Sequence, residues 1–181
     1  MLELAQESHD EEALFTALLG VWLDALMAAR HQETEKLVRQ MREVAERRKS
    51  AAALADAQSC EGLTLLFRGH SGDALTALNR AIALCPDGAG RINFSGVDPL
   101  VQSFTQAAAC AWAAGYPDRA INFSESAIKR SRDLNQPRSM SAALFSATII
   151  RCSRGEAGET QHLCEQLEAL AESTESCRSW R

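Results

Sequence analysis

Aromatic side chains make up only 6% of this chain, and valine and isoleucine are too sparse to build a sheet. Alanine swells the apolar fraction to 46%, a mixture suited to close helix-on-helix packing, so the composition predicts an all-α protein without strands. No apolar run reaches the about 18 residues of a membrane span before a charge interrupts it. A basic excess is missing too. With a net charge of −5 and a pI of 5.4, the chain offers no concentrated cationic face for phosphates, which argues against direct nucleic-acid binding. The phosphate loop GxxxxGK[ST] is absent, and the glycines of PDGAGR, residues 86–91, lack both the lysine and a preceding strand. None of the six cysteines, Cys60, Cys85, Cys110, Cys152, Cys164 and Cys177, forms a CxxC pair, so they read as reduced small hydrophobes on helix faces. The opening MLELAQESHDEE places acids where a signal peptide needs a basic start and an apolar core, which predicts a cytoplasmic protein.

What the chain does have is a recurring phrase. GYPDRAINFSESA, residues 115–127, places a turn before a helix whose small residues Ala120, Ser124 and Ala127 lie four and then three apart, on one face. GHSGDALTALNRA, residues 69–81, has Ala74, Leu78 and Ala81 at the matching places, and GEAGETQHLCEQL, residues 155–167, has Thr160, Cys164 and Leu167. A fainter copy centres on Thr34, Val38 and Met41, so Thr34, Ala74, Ala120 and Thr160 recur about every 40 residues, the signature of stacked helical units.

Each unit reads as an A helix followed by a B helix. Asp10 caps the first A helix with Glu11 and Glu12 in its first turn, and Leu14, Leu18, Val21, Trp22, Ala25 and Met27 form its broad apolar face. The four pairs span approximately 10–49, 50–84, 98–133 and 137–174, with residues 1–8 resembling the end of an earlier helix. Ser50 caps the second A helix, in which Gly62 marks a tight crossing; Asp98-Pro99 opens the third, and Pro137 enters the fourth. Prolines and glycines make residues 85–99 a loop, the longest departure from the period. In the last B helix Leu163, Leu167 and Leu170 point inward, and Ser173 onward is expected to fray. A stack whose last face lacks a polar cap suggests a piece of a longer protein, and self-association through uncapped ends is a further expectation.

The anchors at relative positions 0, 4 and 7 after a glycine-containing turn resemble tetratricopeptide repeats, with a longer spacing than 34 residues. More closely, residues 94–156, together with ALLGVWLDALMAARHQETEKL and CEGLTLLFRGHSGDALTALNRAIAL, resemble the C-terminal repeat region of bacterial multidomain regulators. In those proteins a nucleotide cyclase, a kinase or a DNA-binding module precedes a signal-transduction ATPase and then the repeats. The resemblance covers residues 2 to about 172. It implies a right-handed superhelix of about four stacked antiparallel helix pairs, forming a single domain, with catalysis located in other domains.

The candidate chemistry follows the same reading. His9, His31, His70 and His162 are far apart, and His162 and Cys164 point about 200° apart on a helix, so no metal site and no cofactor are expected. Paired acids such as Glu11-Glu12 and Glu33-Glu35 lie near helix N-termini and favour the helix dipole rather than catalysis. In KLVRQMREVAERRK, Glu43 and Glu46 stand at ion-pairing spacing from Arg39, Arg42 and Arg47, as on a solvated helix face. By the register of the A helices, Leu63, Phe67, Trp112, Phe145 and Ile149 either pack between repeats as core or line a partner-binding groove, with Trp112 and Phe67 as its leading anchors and Gln102, Thr105 and Gln106 as its polar groups. The function expected is a non-catalytic protein-interaction scaffold in signal transduction, binding a protein, a peptide or other domains of the same regulator. The alternative is an effector-sensing domain that holds a small ligand in that groove.

Overall fold

The computed structural model describes residues 10–85 and 96–178, and within them every regular element is an α-helix. In chain order these are α1 (Glu11–Met27), α2 (His31–Arg47), α3 (Ala51–Phe67), α4 (Ser71–Leu84), α5 (Pro99–Ala113), α6 (Pro117–Leu134), α7 (Pro137–Ser153) and α8 (Ala157–Arg178). The chain divides into two compact units, residues 1–86 and 87–181, the first carrying α1 to α4 and the second α5 to α8. Within each unit every helix packs on the next, and in the second unit α5 also packs on α7.

A single kind of turn makes these hairpins. Ala29, Gly69, Gly115 and Gly155 all have positive φ, between 54° and 83°. After each, the next N–H donates to the carbonyl five residues back: Arg30 to Ala25 at 2.8 Å, His70 to Leu65 at 2.9 Å, Tyr116 to Ala111 at 2.8 Å and Glu156 to Arg151 at 3.1 Å. This left-handed C-terminal motif satisfies carbonyls that a helix end otherwise leaves unpaired. Lys49 and Asn135, at φ 48° and 50°, reverse the chain in the same way between α2 and α3 and between α6 and α7. Each anchor of the recurring phrase falls five residues after its left-handed residue (34 − 29, 74 − 69, 120 − 115 and 160 − 155), so the turn sets which face of the B helix is presented.

That face is buried wherever the anchors are Thr34, Val38 and Met41; Ala74, Leu78 and Ala81; or Ala120, Ser124 and Ala127. On α8 the matching Thr160, Cys164 and Leu167 are only half-buried. The polar anchors cost little because each hydroxyl donates to its own helix, Thr34 to the His31 carbonyl and Ser124 to the Ile121 carbonyl, both at 2.8 Å.

The caps form where expected. The Asp10 carboxylate accepts from the N–H groups of Glu12 and Ala13, Ser50 accepts from Ala53, and Asp98 accepts from Leu100 and Val101. Asp98 is wholly buried and does more than cap α5. Its own N–H donates to Ser139 Oγ at 2.9 Å, and its carboxylate meets the Arg130 guanidinium at 3.4 Å, so one residue ties α5 to α6 and α7.

In the first unit the core runs from Phe15, Leu18, Trp22 and Leu26 on α1 through Leu37, Met41 and Val44 on α2 to Ala53, Ala57 and Cys60 on α3. Met27, expected on the apolar face of α1, is instead 65% exposed, because the helix ends there and Phe15 and Leu26 fill the inward positions. Gly62 marks the close approach of α3 to α4, for a Cβ added there would lie 2.6 Å from Leu78 Cγ. The second unit has one cluster around Val97, Val101, Ala127 and Ala143, and another around Leu144, Ala147 and Leu163 that Leu167 and Leu170 flank.

Two further expectations need correcting. α8 continues to Arg178 instead of fraying from Ser173. The arginines of α2 and its C-cap meet acids from neighbouring helices: Arg42 pairs with Glu61 of α3, Arg47 with Glu11 of α1 at 2.8 Å and the C-cap Arg48 with Glu12 at 3.3 Å. Helix packing brings these carboxylates within reach, so the pairs link helices and not successive turns of one helix. The reading of residues 1–8 as a helix end and most of the 85–99 loop lie outside the described residues.

Candidate functional site

The eight candidate groove residues divide between the two units. Leu63 and Phe67 belong to α3 in the first. Leu63 is half-buried and packs against that unit's core, while Phe67, near the C-terminus of α3, is 54% exposed. The other six lie on α5 and α7 of the second unit.

Four of those six come together. Gln102 and Thr105 of α5 face Phe145 and Ile149 of α7 across a groove of about 300 Å³, with Ala109 continuing the α5 wall and Ala142, Ser146 and Ile150 the α7 wall. Positions 102, 105 and 109 on one helix, and 142, 145 and 149 on the other, follow the three- and four-residue steps of single helical faces. The direct packing of α5 on α7 sets the two faces side by side. Ala109 and Ala142 have no bulk to fill the space between them, which leaves the groove open, while Phe145 and Ile149 remain 62% and 48% exposed along its edge.

Gln106 and Trp112 fall outside the lining. Gln106 is buried, and its Oε1 has no hydrogen-bond partner, so it belongs to the interior of the unit. Trp112 is half-buried on the last turn of α5. The lining residues missing from the sequence reading, Ala109, Ala142, Ser146 and Ile150, could have been found by continuing the same helical steps. Nothing in their chemistry singles them out.

The groove walls are nearly free of charge. α5 carries no Asp, Glu, Lys, Arg or His, and of these α7 carries only Arg138 and Arg151. Arg151 is occupied by Glu125 at 2.7 Å and Glu156 at 2.6 Å. The Thr105 hydroxyl donates to the Gln102 carbonyl at 2.8 Å, which leaves its oxygen, the Gln102 amide and the Ser146 hydroxyl as the polar side-chain groups a ligand would meet. Such a surface can bind an apolar segment and orient it by a few hydrogen bonds. It has no nucleophile with a paired base.

Two other hollows have different linings. Between α2 and α3 a cleft of about 310 Å³ is walled by Glu35, Arg39, Arg42 and Glu61 over Val38 and Leu65, and the pairs Arg42–Glu61 and Arg68–Glu35 bridge the two helices beside it. At the turn between α7 and α8, Cys152, Gly155, Ala157, Thr160 and Gln161 surround a shallow space of about 340 Å³. Cys60 and Cys110 are buried thiols. Burial pushes Cys110 up to about 12, and burial followed by the negative charge of Asp56 raises Cys60 well above the ordinary thiol value. Among the described residues no three His, Cys, Asp or Glu side chains converge as a metal site would require, and no helix is long and apolar enough to cross a membrane. The chain matches no model of a known protein family and no curated protein.

Proposed function

We propose that this chain is a non-catalytic interaction scaffold, the tetratricopeptide-like repeat part of a bacterial signalling regulator, and that it holds a segment of a partner protein in the groove between α5 and α7. The observation that carries the proposal is the exposure of Phe145 and Ile149 along a groove with almost uncharged walls. Large apolar side chains left in water one helical turn apart favour a partner's apolar face, since each such contact removes area from solvent at about 25 cal/mol per Å². The open form of the groove supports a peptide over a small effector, which binds best where most of its surface is enclosed.

A peptide library displayed on phage and panned against the purified protein tests this reading, with Phe145→Asp as the counter-selection. Binders recovered by the wild type and rejected by the variant support the scaffold. Failure to recover any binder that depends on Phe145, while the variant's circular dichroism stays helical, removes the groove as a partner site.

A further inference from the structure

We infer that the α5–α7 groove is cationic at one end and apolar towards the other, and selects a partner helix that carries an acidic residue about two turns from an apolar pair. This rests on the scaffold reading and adds the chemistry and direction of the ligand.

Arg138 precedes Ala142 by four residues, Phe145 by seven and Ile149 by eleven, so all four share one face of the helix. Arg138 is exposed and meets no carboxylate among the described residues, unlike Arg151 at the other end of the helix, which is held by Glu125 and Glu156. The cation therefore remains available at the N-terminal end of the groove. Its side chain passes close to Gly96, where an added Cβ would lie 2.8 Å from Arg138 Cδ.

The backbone adds charge of the same sign at the same end. α7 begins without a side-chain cap and without an acid in its first turn, so the positive end of its dipole is not offset locally. The fold brings Asp98 to this end, where its N–H donates to Ser139 Oγ. Its carboxylate is wholly buried, accepts from Leu100 and Val101 and is paired with Arg130, so it is already engaged. The groove therefore has a cationic end, an apolar stretch at Phe145 and Ile149 two to three turns further along, and walls that supply no negative charge.

The complementary ligand follows from these distances. Arg138 and Ile149 are eleven residues apart, which at the helical rise is about 16 Å, or three turns of a partner helix. An amphipathic helix of that length with two apolar residues three or four apart would seat them against Phe145 and Ile149. An Asp or Glu about two turns from that pair would reach the Arg138 guanidinium, which accepts a carboxylate in bidentate fashion. A basic flank would meet Arg138 with repulsion, and this gives the groove its discrimination.

The same displayed library tests the inference through the sequences it returns. Enriched binders should carry Asp or Glu on one flank of an apolar pair. A synthetic peptide taken from the consensus should bind at least tenfold more weakly to Arg138→Glu, and that variant should prefer the same peptide with Lys in place of the acid. Phe145→Ala should weaken both peptides equally. Phe145-dependent binders with no acidic bias, or an acidic bias that Arg138→Glu leaves unchanged, would overturn the inference while leaving the scaffold reading in place. Loss of all Phe145-dependent binding would remove both. Concentration-dependent dimerisation that Phe145→Asp abolishes would assign the groove to a second copy of the chain and overturn the inference as well.

Discussion

The indole N–H of Trp22 donates to the Thr64 hydroxyl at 3.0 Å in the buried core of the first unit, joining α1 to α3 across 42 residues of sequence. Both groups are shut away from water, so each would be costly to leave alone. Thr64→Val keeps the shape and strands the indole N–H, with an expected loss of about 1–3 kcal/mol in chemical denaturation. In the double variant with Trp22→Phe the two losses should not add, because the second substitution removes the stranded donor. Additive losses would mean that the pair does not couple.

Gly62 is the second test. A methyl group there would collide with Leu78 Cγ at 2.6 Å, so Gly62→Ala should destabilise by about 1–3 kcal/mol despite the higher helix propensity of alanine. Ala120→Leu should cost a similar amount, since Ala120 is fully buried in the second unit. Urea midpoints unchanged by both would remove the crossings that the repeat register places at these residues.

Ala29 takes a left-handed conformation at φ 54°, at the position where Gly69, Gly115 and Gly155 stand in the later hairpins. The Cβ makes that conformation costly, so Ala29→Gly should raise stability by about 0.5–1 kcal/mol once the greater unfolded-state freedom of glycine is subtracted. Gly115→Ala should lower it by a similar amount. Opposite signs for the two substitutions in thermal denaturation are the expected result.

The thiols provide a prediction about pH. A group whose pKa is higher in the folded protein than in the unfolded chain holds its proton longer when folded. Its contribution is intact below the unfolded value and is lost as pH rises towards the folded one. For Cys110 this window runs from the ordinary 9.0 to about 12, with a slope of about 1.4 kcal/mol per pH unit. Cys110→Ala should flatten the alkaline fall in stability by that amount. At pH 8 a thiol reagent should label the exposed Cys152 quickly, and Cys60 and Cys110 only on unfolding.

Most of the secondary structure was legible because its causes are local. Asp10, Ser50 and Asp98 cap helices through bonds to N–H groups two or three residues away. The first hairpin lacked the glycine that signalled the others, yet Ala29 adopts the same turn. There the packing of Thr34, Val38 and Met41 against neighbouring helices supplies what the local sequence does not.

By itself the sequence determined the helices, the five-residue step from each turn to its anchor and the stripes on each helix, because neighbours along one chain are related by a helical rise that does not depend on the fold. Only the tertiary structure decided what those stripes meet. It buried Gln106, although Gln102 one turn earlier lines the groove, and it gave Arg42, Arg47 and Arg48 their acids from other helices. It joined Gln102 and Thr105 to Phe145 and Ile149 by packing α5 directly on α7, and among the described residues it left Arg138 without a carboxylate at the end of the same face. Helical spacing orders the residues of one helix, whereas a groove between two helices exists only once their packing has set the distance between them.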